Sequence, residues 1–200
     1  MAREIRPAIV ILIALTLITG LLYPLAITGI AGLLFPDQAQ GSLIRRGDTV
    51  VGSALVGQQF SSDRYFHGRP SATTKADPTD PTKNVPDPYN AANSGGSNLG
   101  PSNKALIDRV QGDVAALKKD NAGDPIPPDL VTTSASGLDP DISPAAALFQ
   151  VPRVAKARGM PEDRLRQLVN EHTQARLLGL WGEPRVNVLA LNMALDAAGK

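Results

Sequence analysis

Cysteine is missing from all 200 residues. That excludes a disulfide framework, thiolate metal sites and a thiol nucleophile, and it is compatible with an exported domain. Charge excess is missing too: 20 Lys and Arg face 19 Asp and Glu, so nothing points to nucleic acid or to an acidic ligand. Only His67 and His172 represent histidine, and neither has the H-E-x-x-H or carboxylate spacing of a metal centre. His172 reads as a partly buried helix residue and His67 as an exposed one. Aromatics make up 4% of the chain. Beyond the first 35 residues they are Phe60, Tyr65, Phe66, Tyr89, Phe149 and Trp181, so a core must be built mainly from Val, Leu and Ile and gains stability by docking on a partner.

Charge is also absent from Pro7 to Phe35, PAIVILIALTLITGLLYPLAITGIAGLLF. As a helix this stretch runs about 43 Å, longer than the roughly 30 Å hydrocarbon core of a bilayer. A cleavable signal has an apolar region of only about 7–15 residues, so the stretch is expected to stay as a single membrane anchor. Arg3 and Arg6 precede it on a short tail and place the N-terminus in the cytoplasm by the positive-inside rule. The expected organisation is a tail over 1–6, a transmembrane helix over 7–35 and an extracytoplasmic (periplasmic) α+β domain over 36–200. Pro24 removes an N–H and predicts a kink at GLLYP. Gly20, Pro24, Gly29 and Gly32 form a bent surface of small positions suited to packing against another membrane helix.

Glycine (18) and proline (17) are plentiful, and loops must be numerous. Gly47-Asp48 between β-prone runs predicts a hairpin in Ser42 to Phe60. Ser71 to Pro88, crowded with Pro, Thr, Asp and Lys, reads as loop. Pro101 suits the first turn of a helix to about Lys119, with a stripe of Leu106, Val110, Val114 and Leu117 and a C-cap at Gly123. Leu130 to Thr133 reads as a short strand. Ser143-Pro144 starts a helix that must bend or restart at Pro152 and runs to Arg158-Gly159. Pro161 opens a last long helix ending at Gly179. Val186 to Leu191 reads as a buried strand, and Asn192 to Ala198 as a closing helical turn.

Tyr89 to Ser102, YNAANSGGSNLGPS, is the most unusual stretch outside the anchor. Gly95 and Gly96 permit close backbone approach, and Asn93, Ser94, Ser97 and Asn98 offer hydrogen bonds. The loop lacks the G-x-x-x-x-G-K-[ST] pattern of a phosphate cradle, so a tight partner-contacting loop is the better reading. Ser134 and Ser136 with an Asp and His172 supply the residue types of a hydrolase, but neither G-x-S-x-G nor S-x-x-K occurs. Tyr65, Phe66 and Arg69 have the composition of an interface, and Arg69 equally suits an ion pair with a nearby acid.

Taken in order, these stretches resemble the KdpC family, the small C subunits of the potassium-transporting P-type ATPase (Kdp) complexes of bacteria and archaea. The resemblance rests on Tyr23-Pro24 within the anchor, Tyr65-Phe66-His67-Gly68-Arg69-Pro70-Ser71, YNAANSGGSNLGPSN from Tyr89, and DLVTTSASGLDPDISPAAA from Asp129. It continues through Gln150-Val151-Pro152-Arg153-Val154-Ala155 and Gly182-Glu183-Pro184-Arg185-Val186-Asn187-Val188-Leu189. At His67 the family more often has an aromatic. The resemblance implies a non-catalytic subunit that binds no cofactor of its own, with ATP and potassium handled at the level of the complex. It also implies two partners: a channel-like subunit that selects potassium and a P-type subunit that hydrolyses ATP through a phosphorylated aspartate. The absence of D-K-T-G-T here agrees with that division of labour. The family's C subunit is described as stabilising the assembly and as a catalytic chaperone raising the nucleotide affinity of the ATPase subunit, and its Ser94-Gly95-Gly96-Ser97 region is likened to an ABC-type nucleotide signature. Against direct ATP contact, an extracytoplasmic loop meets little ATP. The alternatives are an anchored extracytoplasmic hydrolase and an anchored interaction module without a transporter partner.

Overall fold

A computed structural model describes residues 2–199. The chain divides into two compact units, the first ending at Ser53 and the second beginning at Ala54.

The first unit is dominated by α1 (Ala2–Leu17) and α2 (Tyr23–Leu34), joined without a break by a π-helical turn, Ile18–Leu22. Together they make one helix, Arg3–Leu34, long and apolar enough to cross a membrane. The disturbance expected at Pro24 is found in the preceding turn, where the N–H of Tyr23 donates to the carbonyl of Ile18, five residues back. A proline cannot donate, and its ring crowds the carbonyl four residues earlier; widening the preceding turn accommodates both. After a single turn, α3 (Pro36–Ala39), the expected hairpin forms from β1 (Leu43–Arg46) and β2 (Thr49–Ser53) around Gly47.

The second unit is α+β. Its centre is α5 (Pro144–Arg158), packed on α6 (Glu162–Glu171) and on β7 (Arg185–Asn187), with α7 (Val188–Ala198) against both α6 and β7. The antiparallel sheet has the order β5 (Asp141–Ile142), β7, β6 (Thr173–Gln174). Val151, Val154, Leu165, Val169, Val186 and Leu191 are completely buried between these layers. Local signals start α5 as expected: the Ser143 hydroxyl accepts from the Ala146 N–H, Pro144 follows, and Gly159 ends the helix in the left-handed region.

Several expectations are corrected. Of the two alternatives at Pro152, a restart does not occur: α5 passes through it as one helix, held by burial on both sides of that residue. Ser71 to Pro88 is not all loop, since β3 (Thr74–Ala76) pairs with β4 (Asn84–Pro86). The strand expected at Leu130 to Thr133 is a 3-10 turn, Pro128–Leu130, followed by loop. α6 ends at Glu171 and not near Gly179, because its apolar stripe stops at Val169. The apolar run from Val186 is strand only as far as Asn187, whose side chain accepts from the Ala190 N–H and starts α7 at Val188. α4 (Lys104–Asp120) begins after Asn103, which caps it, with Pro101 in the turn before, and Asn121 rather than Gly123 is its C-cap. The α4 stripe is only half-buried, and no residue of that helix is fully covered.

Candidate functional site

The stretch from Tyr65 to Pro70 is strapped across α5 and α7 by side chains that sequence reasoning did not single out. Asn192, 2% exposed in the middle of α7, accepts from the Phe66 N–H and donates to the Phe66 carbonyl, both at 2.9 Å. Gln150, on α5, does the same for the next residue, accepting from the His67 N–H at 2.8 Å and donating to its carbonyl at 3.1 Å. Two side-chain amides thus do for an extended segment what a neighbouring strand would do. Arg153 donates to the Asp63 and Tyr65 carbonyls. Arg158 donates to the Arg64 carbonyl and to Asp196, with its guanidinium 4.8 Å from the centre of the Tyr65 ring. The signal in the sequence was a polar residue inside an apolar helical run, Gln150 in ALFQVP and Asn192 in LALNMAL.

Phe66 is corrected from a contact candidate to a core residue, since it is completely buried and has no surface to offer a partner. Tyr65 is half-buried, its hydroxyl 3.3 Å from Asp196. Arg69 takes the ion-pair alternative, 2.9 Å from Asp139, and also donates to the Thr133 carbonyl.

His67 is half-buried and not exposed, with its ring Nε2 3.0 Å from the Ser62 carbonyl. Burial, then the nearby positive charge of Arg153, lowers its pKa below the ordinary 6.5. A group whose folded pKa is depressed binds fewer protons folded than unfolded, so stability is fully present above the unfolded value and falls as pH drops below it. In urea titrations on either side of pH 6.5, the wild type should lose stability on the acid side relative to His67→Gln. Parallel pH profiles for the two proteins would refute this role.

Arg69 leads into a cluster of three loops, residues 69–73, 89–98 and 132–139. Ser71 Oγ donates to the Gly137 carbonyl at 2.7 Å and accepts from the Tyr89 N–H. Thr73, 2% exposed, donates to the Asp87 carbonyl and accepts from the Asn90 N–H. Ser134 accepts from the Gly137 N–H at 2.8 Å. Tyr89 donates to the Arg69 carbonyl at 2.7 Å, and burial, reinforced by Asp139, pushes its phenol up to about 12. Its hydroxyl stays protonated and remains a donor at any physiological pH.

The Tyr89 to Ser102 loop is fastened to this cluster. Asn93 donates to the Thr74 carbonyl at 2.8 Å, Ser94 to the Ser136 carbonyl at 3.0 Å, and the Gly95 N–H to the same carbonyl at 2.9 Å. A Cβ at Gly96 would stand 3.0 Å from the Ala135 carbonyl. The hydrogen-bonding groups of Asn93, Ser94 and Gly95 are therefore spent on the fold. Ser97 is half-buried, and Asn98 is exposed in the left-handed region. The loop shows Ala91, Ala92, Asn93 and Ser94 to solvent on one side of the glycine pair, and Asn98, Leu99 and Gly100 on the other.

Beside the cluster, between α4 and the body of the unit, lies a cavity of about 440 Å³ lined by His67, Arg69, Tyr89, Arg109, Asp113 and Arg153 among others. Arg109 is paired with Asp113 at 2.6 Å and Arg69 with Asp139, so the lining cations arrive already matched. His172 Nδ1 sits 2.9 Å from the Leu168 carbonyl at the end of its own helix, and the Ser134 hydroxyl is occupied by Gly137, so no hydrolase triad is assembled from them. Among the described residues no group of three His, Cys, Asp or Glu could hold a metal ion. The anchor glycines, Gly20, Gly29 and Gly32, have open space where a side chain would project, with Gly20 inside the π turn.

Residues 5–197 match the family model described as KdpC, K+-transporting ATPase, c chain. A potassium-transporting ATPase KdpC subunit of Rhodopseudomonas palustris (strain BisB18) is 73% identical over 198 residues, 99% of this chain and 100% of the relative. The KdpC subunit of Bradyrhizobium sp. (strain BTAi1 / ATCC BAA-1182) is 71% identical, covering 99% of this chain and 98% of its own. That of Methylobacterium nodulans (strain LMG 21967 / CNCM I-2342 / ORS 2060) is 67% identical over the full length of both.

Proposed function

Because the chain belongs to the KdpC family of K+-transporting ATPase c chains, we propose that it serves its potassium-transporting complex as a docking subunit. In this reading it holds the channel-like and ATP-hydrolysing subunits in register and so raises the nucleotide affinity of the latter, without binding nucleotide or catalysing a reaction itself. The N-terminal helix crosses the plasma membrane once, with the N-terminus cytoplasmic and the second unit on the outer face. The observation that carries the reading is the end-to-end family match, supported by the way the loops are fastened together. A partner that meets a preformed surface loses little entropy in ordering it, so even a modest area gives useful affinity. The Asn93 and Gly95 N–H groups already donate to the Asn90 and Ser136 carbonyls, which favours docking over a phosphate cradle built from converging open N–H groups.

Purification in mild detergent tests the assembly. The chain should bring large multispanning subunits with it, and potassium-stimulated ATP hydrolysis by the complex should need more ATP when it is removed. Isolation of the chain alone, or tight ATP binding by the chain alone, would overturn the reading. Orientation has its own test: Ser97→Cys should react with a membrane-impermeant thiol reagent in intact cells, and labelling only after lysis would reverse the topology.

A further inference from the structure

The turn between β6 and β7 carries the most exposed apolar cluster of the second unit. Leu177, Leu178, Leu180 and Trp181 are 69%, 80%, 72% and 61% exposed, so each keeps more than half of its surface open to solvent. We propose that this turn is a wedge that seats in the lipid headgroup and upper acyl region of the bilayer, on whichever side of the membrane the second unit lies. The proposal rests on the reading that the N-terminal helix crosses a bilayer.

Three observations favour lipid over a protein groove. The first is composition: leucines with one tryptophan are the side chains that partition to a membrane interface, where the indole keeps its N–H among headgroups and its ring among chains. The second is the backbone. Peptide groups entering an apolar medium must be satisfied internally, and here the Leu177 and Trp181 N–H groups donate to one another's carbonyls, the Leu180 N–H to the Leu177 carbonyl and the Gly179 N–H to the Arg176 carbonyl. Leu178 and Gly179 both take positive φ, 53° and 73°, which tightens the turn and spreads the side chains outward. The knob is preformed, and with its four apolar side chains each mostly exposed it suits a fluid medium better than a shaped pocket. At its base stand Arg176, paired with Glu183, and Arg185, paired with Asp141, whose stems and charged heads fit the headgroup level.

The third observation is tethering. Nineteen residues, 35–53, separate the end of the apolar helix from Ala54, and at full extension they reach at most about 70 Å. Ala54 enters the second unit beside β7, its carbonyl 3.1 Å from Nδ2 of Asn187, the last residue of that strand. The second unit therefore stays within that reach of whatever membrane the helix crosses. Contact with lipid becomes an intramolecular event, for which a small apolar area suffices.

Trp181 is the only tryptophan in the chain, so its fluorescence reports this site alone. The full-length chain, reconstituted without partners into phosphatidylethanolamine and phosphatidylglycerol vesicles, should show blue-shifted emission, quenched by bromine on the acyl chains and protected from aqueous iodide. The double substitution Leu178→Ser and Leu180→Ser, at positions already exposed to solvent, should restore iodide quenching and abolish bromine quenching while the chain still floats with the vesicles. Flotation with Trp181 still iodide-accessible in the wild type overturns the wedge and leaves the anchor standing; failure to float overturns the anchor reading instead. Protection from iodide that appears only after the other subunits are added, without bromine quenching, assigns the turn to a protein partner and also overturns the proposal.

Discussion

Asn192→Leu should destabilise the second unit by about 2–6 kcal/mol, the cost of leaving two buried backbone groups without partners at about 1–3 kcal/mol each. Leucine has the same branched heavy-atom skeleton and is not smaller, so cavity formation is not the cause. What is lost is the pair of 2.9 Å bonds to the N–H and carbonyl of Phe66, a residue with no exposure through which water could take their place. Against a total of about 5–15 kcal/mol for an ordinary domain, the loss should appear as a large drop in the urea midpoint with the slope unchanged. Gln150→Leu should cost less, because its partner His67 is only half-buried. A change in the Asn192 variant within about 0.5 kcal/mol, the range of ordinary surface substitutions, would mean that the strap is held by packing alone.

Gly137→Val should have the largest effect on assembly. Gly137 has φ 68°, and a Cβ there would lie 2.5 Å from Thr73 Cγ2 and 2.9 Å from the Gly95 carbonyl. A β-branched residue in the left-handed region costs at least about 1–2 kcal/mol, and overpacking adds about 1–3 kcal/mol more. The strain falls where the three loops meet, so the 132–139 and 89–98 loops must part. Copurification with the other subunits and potassium-stimulated ATP hydrolysis should both fall sharply. Gly123→Val is the matched control, because that glycine is exposed outside the three loops, has no positive φ, and a Cβ there meets only Asn121 Oδ1 at 3.9 Å. Retained assembly in the Gly137 variant, with the loops demonstrably displaced, would remove the loop cluster from the docking surface.

How much of this was legible in the sequence depended on the range of the interaction that decides each feature. The apolar helix, the Gly47 hairpin, the Ser143-Pro144 start and the Gly159 stop are settled within a few residues of themselves, and each could be read directly. The run VNVLALNMAL could not. Its apolar residues satisfy a buried strand and a buried helix equally, and Asn187 decides between them by capping, a role its neighbours do not announce. The Thr74 and Val85 strands were hidden in a stretch dense with proline and threonine, because their pairing joins two short segments across a turn. Asn93 and Ser94 were noticed for the right property, adaptable hydrogen bonding. Their partners at Thr74 and Ser136, 19 and 42 residues away, turn that property inward. Phe66 was misplaced for the same reason: an aromatic beside arginines has the composition of an interface, and only the distant Asn192 shows that it belongs to the core.

The bond between Phe66 and Asn192 spans 126 residues, which sets an order of events during synthesis. At about 5–20 residues per second, a ribosome takes roughly 6–25 s to travel from the first partner to the second. Throughout that interval the Tyr65 to Pro70 segment lacks the Asn192 amide of α7 and a finished core to cover Phe66, although Gln150 of α5, 83 residues after His67, arrives earlier. The nascent chain must carry an apolar ring without its native cover until the codon for Asn192 has been read. A premature stop before α7 would therefore leave a product with its strap undone, a natural substrate for quality-control proteases.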